Sequence, residues 1–205
     1  MDFRALAGKK VAILVETGYI YSEIEYYQTG FQVLGATVDC LSYLQGERSR
    51  TLISELDKLG EPTCTMKVDK DVADYDPNSY DIVLIASGYC ASRLREIPPR
   101  GSLGSIEELQ TPAAVQFYKQ AMRNPNIIKG ALGQGLWILT PCPEVLTGRR
   151  VICHTTTLAD VYNAGAVYVP DESHIVVDGD LVTARSTEDL SAYFDAVVSL
   201  ALSNY

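Results

Sequence analysis

The sequence has no Cys-x-x-Cys pair. Its five cysteines, Cys40, Cys64, Cys90, Cys142 and Cys153, are widely spaced and odd in number, which excludes a disulfide framework and gives no zinc-binding pattern. They read as buried thiols. Positive charge is also scarce, with 17 Lys and Arg against 26 Asp and Glu and a formal net charge of −9. Counterion release on a phosphate backbone needs clustered cations, so nucleic acid is not an expected partner. No apolar run approaches the ~20 residues that a membrane-spanning helix needs, and Met1-Asp2-Phe3-Arg4 does not lead into an apolar signal core. The expectation is a cytoplasmic protein with no membrane contact, no metal and no cofactor. Internal repeats and low-complexity segments are missing too.

What is present is enough apolar sequence for one core, since 47% of the 205 residues are hydrophobic. That fits a single domain over 1–205. Val11-Ala12-Ile13-Leu14-Val15 is a continuous apolar run, as in a strand covered on both faces. Tyr26 to Leu34 reads as a helix stopped by Gly35, and Ala36 to Leu41 as the next strand, giving a βαβ unit. Residues 44 to 67 are polar and irregular, with a short helix at Leu52 to Leu59 and a small hairpin near Met66-Lys67-Val68. Tyr80 to Ala86 is another buried strand. Thr111-Pro112 starts a helix that runs to about Arg123. Val151-Ile152-Cys153-His154 reads as a strand, Ile175 to Thr183 as a hairpin, and Leu190 to Leu202 as a closing amphipathic helix. Strands alternating with helices predict an α/β flavodoxin-like three-layer sandwich, its mostly parallel sheet covered by helices on both faces. The ligand crevice then lies beyond the carboxyl ends of the strands.

At one of those ends Ala131-Leu132-Gly133-Gln134-Gly135 joins two apolar segments as a strand-to-helix turn does. Such a turn holds a residue in a strained conformation and projects its side chain into the crevice. Here that residue is glycine, which adopts positive φ freely and carries no reactive atom.

Several segments together resemble the ThiJ/PfpI superfamily: Lys9 to Glu16, the acidic segment ending at Glu23, Tyr80 to Ile85 followed by Gly88, and Ala131 to Gly135. The tail adds Gly148-Arg149-Arg150, Asn163-Ala164-Gly165-Ala166, Val176-Val177-Asp178-Gly179 and Leu181 to Arg185. The resemblance implies an elbow written Ala-Ile-Cys-His-Gly, so Gly133 stands in place of the cysteine and Gln134 in place of the histidine. It also implies a Pro-Gly-Gly strand end, here Ala86-Ser87-Gly88, and a glutamate that hydrogen-bonds the cysteine, matched by Glu23. Ile20 replaces a second acid of that segment. Homodimerisation follows from the resemblance as well.

The candidate catalytic groups are therefore Glu23, His154 and Gln134, with Gly88, Tyr89, Gly133 and Tyr19 as substrate-binding positions. Glu23 can hold a proton or take one, Gln134 can only orient a carbonyl or water, and the imidazole of His154 can transfer protons near neutral pH. Tyr21 is a further candidate for lining the pocket, while Tyr26 and Tyr27 fit helix packing or a subunit interface. The segment Arg93 to Ile106 reads as a lid over the crevice, with Arg93 and Arg95 available to a carboxylate. Three functions remain open. The first is a cysteine-independent enzyme acting on a small organic molecule by acid/base chemistry (lyase, hydratase, isomerase or cyclase). The second is a non-catalytic protein that binds a small molecule or regulates. The third is cysteine chemistry through Cys90 or Cys153.

Overall fold

The continuous apolar strands split into two cores because successive side chains of a strand point to opposite faces. The computed structural model describes residues 4–55, 62–170 and 172–203. Its strands are β1 (Lys10–Leu14), β2 (Thr37–Leu41), β3 (Arg50–Ile53), β4 (Thr65–Val68), β5 (Ile82–Ile85), β6 (Ile128–Leu132), β7 (Arg150–Val151), β8 (Val167–Tyr168), β9 (Ile175–Asp178) and β10 (Leu181–Ala184). Its α-helices are α1 (Tyr21–Val33), α2 (Cys90–Leu94), α3 (Ala113–Arg123), α4 (Pro143–Leu146), α5 (Thr155–Asn163) and α6 (Leu190–Ser203). A six-stranded sheet runs β2-β1-β5-β6-β10-β9, parallel except for the β9–β10 hairpin.

On one face Ala12, Leu14, Val83, Ile85 and Ala131 pack with Val115, Phe117 and Tyr118 of α3 and Val161 of α5. On the other, Val11, Ile13, Ile82, Leu84 and Val182 pack with Tyr27 and Phe31 of α1 and Tyr193 and Val197 of α6. The expected α/β sandwich, helices on both faces of a mostly parallel sheet, is the fold observed.

Four local expectations need correction. Helix α1 starts at Tyr21, five residues before the apolar stripe suggested, because Ile20 is still extended (φ −88, ψ 118) and the acidic first turn already belongs to the helix. Leu52 and Ile53 lie in β3, paired with Met66 and Thr65 of β4, so the helix read there is a hairpin as far as it is described; its continuation over 56–59 lies outside the described residues. The strand read at Val151 to His154 pairs only through Arg150 and Val151, in a separate two-stranded sheet with β8. Past it, the Ile152 amide donates to Thr183 Oγ1 (3.0 Å) instead of to a strand. Finally, Gly135–Leu139 after the elbow forms a 3-10 turn, with α4 following at Pro143.

Candidate functional site

Parallel register builds the site. Ile85 of β5 pairs with Ala131 of β6, so the residues two further on, Ser87 and Gly133, leave the sheet side by side. Both strands turn sharply there. Gly133 has φ +58 and Gly88 φ +76, the left-handed region where a Cβ is unfavourable.

The two glycines differ in what surrounds them. A Cβ on Gly88 would stand 2.3 Å from the Gly18 carbonyl oxygen, the same oxygen that accepts the Tyr89 amide at 3.0 Å. Only glycine fits. A Cβ on Gly133 would meet Ser87 Cβ at 3.5 Å and the Arg185 carbonyl oxygen at 3.9 Å, which is ordinary contact. A side chain at 133 would lie against Ser87.

Glu23 comes in from the first turn of α1, where a negative charge is favoured by the helix dipole. Its side chain is completely buried. The Ser87 amide donates to both carboxylate oxygens, at 3.2 and 3.0 Å, and the Ser87 hydroxyl donates to Oε2. The Tyr27 and Tyr193 phenols are buried nearby. Burial first, and then among other charges that of Glu23, pushes both well above the ordinary phenol range, so they stay protonated.

His154 reaches the elbow through its backbone, its amide donating to the Gly133 carbonyl at 3.1 Å. Its ring is the N-cap of α5: Nδ1 accepts the Thr156 amide at 3.2 Å and contacts Thr156 Oγ1 at 2.8 Å. Imidazole here does the work usually given to a Ser, Thr, Asp or Asn side chain. That cap leaves Nε2 carrying the proton of the neutral ring. Gln134 is half-buried, next to Gly133 in the turn. Tyr89 is 55% exposed and stacks on Trp137 at 6.2 Å between ring centroids, while the Trp137 indole donates to Asp160 at 2.7 Å. Tyr19 lies fully buried in the core on the α1 side of the sheet. Arg95 donates to Thr140 Oγ1 and weakly to the Trp137 carbonyl, and Arg93 is exposed.

Neither candidate cysteine is activated. Cys90 Sγ is enclosed and donates to the Glu16 carbonyl at 2.9 Å, and burial pushes its thiol well above the ordinary range. Burial also pushes Cys153 up to about 12. Such thiols are inert at neutral pH.

Two groups escaped sequence reading. Ser87 registered only as a missing glycine, although a hydroxyl at a strand end was a signal in its own right. Glu16, the acid that ends the β1 run, is a second fully buried carboxylate at this edge. It is held by Arg50 (2.7 and 3.0 Å), Arg100 (2.8 Å), the Ser42 hydroxyl (3.3 Å) and the Thr17 amide (2.8 Å). Arg100 belongs to the segment read as a lid, so that segment is fastened to the end of β1.

Comparison with known proteins agrees with this fold. The model of the DJ-1/PfpI family matches residues 9–200. "Putative cysteine protease YraA" of Bacillus subtilis is 25% identical over 193 residues, covering 91% of this chain and 94% of its own. An uncharacterised Staphylococcus aureus protein is 31% identical over 131 residues, 64% of this chain and 67% of its own. Among solved structures, a two-domain Anabaena variabilis protein containing DJ-1/ThiJ/PfpI-like and ferritin-like domains superposes with TM-score 0.75 at 25% identity. That match covers 93% of this chain and 47% of that one.

Proposed function

Because the chain belongs to the DJ-1/PfpI family yet carries glycine at the elbow, we propose that it is a cysteine-independent enzyme. It acts on a small organic molecule by general acid/base chemistry of the lyase, hydratase, isomerase or cyclase kind. Glu23 is the proton-transfer group, and His154 and Gln134 orient the substrate or its water. One observation carries this reading: a fully buried carboxylate is held by Ser87, whose Cβ borders the place that a side chain at Gly133 would take. Buried carboxylates with neutral donors are those whose protonation a bound substrate can change. The cysteine chemistry in the name of the Bacillus relative does not carry over, since Cys90 and Cys153 are enclosed and the elbow has no thiol.

In this reading Gly133, Gly88 and Tyr89 border the substrate and Tyr19 supports them from the core. The protein works as a cytoplasmic homodimer; exposed Tyr26 and Val33 on α1 support self-association. No helix among the described residues is long and apolar enough to cross a membrane.

The test is a panel of small carbonyl compounds, nitriles and isonitriles, screened by thermal shift and then for product by mass spectrometry. We expect at least one compound to be bound and converted, and Glu23→Gln to slow conversion by ~100-fold or more, the usual worth of a positioned acid/base. Normal turnover by Glu23→Gln overturns the mechanism, and binding without conversion across the panel supports a non-catalytic binding protein instead.

A further inference from the structure

We propose that Ser87 is a nucleophile activated by Glu23, attacking a small electrophile such as an aldehyde or an activated acyl group. The proposal rests on the reading of Glu23 as a proton-transfer group and names the atom through which it acts. Glu23 has no exposed surface, and Ser87 is 1% exposed. Ser87 touches Glu23 through its amide and hydroxyl, and its Cβ borders the place that a side chain at 133 would take. A molecule lying against Gly133 therefore meets Ser87, with the carboxylate behind it.

The backbone also places Ser87 immediately before a sharp turn. Strand β5 ends at Ile85 and helix α2 begins at Cys90, and between them Gly88, at φ +76, folds the chain tightly under the Gly18 carbonyl. A sharp strand-to-helix turn is the device that projects a nucleophile above a sheet. Two neighbouring strands each turn at a left-handed glycine, Gly133 after β6 and Gly88 after β5, and the residue just before Gly88 is Ser87, a hydroxyl with a carboxylate in hydrogen-bond contact. A weak nucleophile beside a base is the arrangement that covalent catalysis needs.

With an aldehyde, the Oγ–C bond forms as the carbonyl π pair moves onto oxygen. The Ser87 proton passes to Glu23, which returns it to that oxygen to give a hemiacetal. With an acyl group, the same proton goes to the departing atom, and water, deprotonated by Glu23, later cleaves the Ser87 ester.

Methanesulfonyl fluoride tests this without a known substrate: an O–S bond forms at Ser87, the S–F bond breaks, fluoride leaves and Glu23 takes the proton. Intact mass and peptide mapping should find one adduct on Ser87 in the wild type, none at this site in Ser87→Ala, and labelling slowed ~100-fold in Glu23→Gln. Ser87→Gly keeps the amide that holds Glu23; it should keep the wild-type Tm within a few degrees and take no adduct, separating attack from mere support. An unlabelled Ser87 in the wild type, or Glu23→Gln labelled at the wild-type rate, overturns the proposal. If Ser87→Gly converts a compound of the panel normally while Glu23→Gln does not, Ser87 is no nucleophile and the role of Glu23 stands. If both convert it normally, both readings fall.

Discussion

Two carboxylates sit at the same edge of one sheet, both without solvent exposure, and the chain treats them in opposite ways. Glu16 is enclosed by two guanidinium groups, an amide and a hydroxyl. The donors on Glu23 include the amide and hydroxyl of Ser87, both neutral. Burial works to raise the pKa of Glu16, but hydrogen bonds from Arg50 and Thr17 and the charge of Arg100 outweigh it and hold the carboxyl below its ordinary 4.5. Glu16 is thus fixed as an anion, and its charge fastens β3 and the 93–106 segment to the end of β1. In the proposed mechanism Glu23 is the carboxylate that trades protons. In that reading the two acids differ in their partners, not in their burial.

The sharpest test of that contrast is removal of each group. Glu16→Ala leaves Arg50 and Arg100 facing an empty, partly dry cavity and should destabilise the fold by ~3 kcal/mol or more. Glu23→Gln keeps an acceptor for Ser87 and should cost within about 1 kcal/mol. Urea unfolding of the two variants measures both, and equal losses would erase the distinction.

Acid titration sharpens it. Since Glu16 has a lower pKa folded than unfolded, its stabilisation is complete above the unfolded value of 4.5 and is lost as pH falls through the lower folded value. Stability of the wild type should therefore drop below about pH 4.5, and Glu16→Gln should show a shallower drop over the same range. An unchanged acid limb in that variant would mean that the arginines do not hold the proton off Glu16.

Smaller still is the effect of filling the empty seat. Gly133→Cys meets no clash at 3.5 and 3.9 Å but must hold a Cβ at φ +58, a cost of about 1–2 kcal/mol, seen as a Tm lowered by several degrees. The new thiol would lie against Ser87 and should be alkylated by iodoacetamide well before the enclosed Cys90 and Cys153. An unreactive thiol would show that nothing enters this seat from solvent.

How far the sequence revealed this site depends on the distance between partners. The β1 run, the β9–β10 hairpin, α3 and the glycine elbow were legible because each is written in consecutive residues. The first turn of α1 was not, because its acids carry no apolar stripe. Leu52 and Ile53 misread as helix because a short apolar run fits either period, and their strand is settled by pairing with Thr65 and Met66. His154 hid its role as a cap because imidazole is an unusual acceptor at an N-cap. Glu23 could be located by resemblance, whereas its partner Ser87 lies 64 residues away and looked like the loss of a glycine. The Glu16 cluster joins residues 34 positions apart in the case of Arg50, and no local pattern announces such a pair.

The most delicate prediction separates the two arginines on Glu16. Arg50 grips the carboxylate with both terminal nitrogens and is the more buried of the two, its side chain 17% exposed against 33% for Arg100. Arg100 also reaches Glu96 at 3.5 Å, within its own segment. Arg100→Ala should therefore leave Glu16 ionised and cost no more than about 1 kcal/mol, while releasing the segment around residues 96–106 from β1. Hydrogen exchange should accelerate in that segment and stay unchanged in β1 and β5, because the strands keep their ladder. A global loss matching that of Glu16→Ala would mean that both cations are needed to neutralise the buried charge, and that the segment is a fixed part of the architecture and not a cover over the crevice.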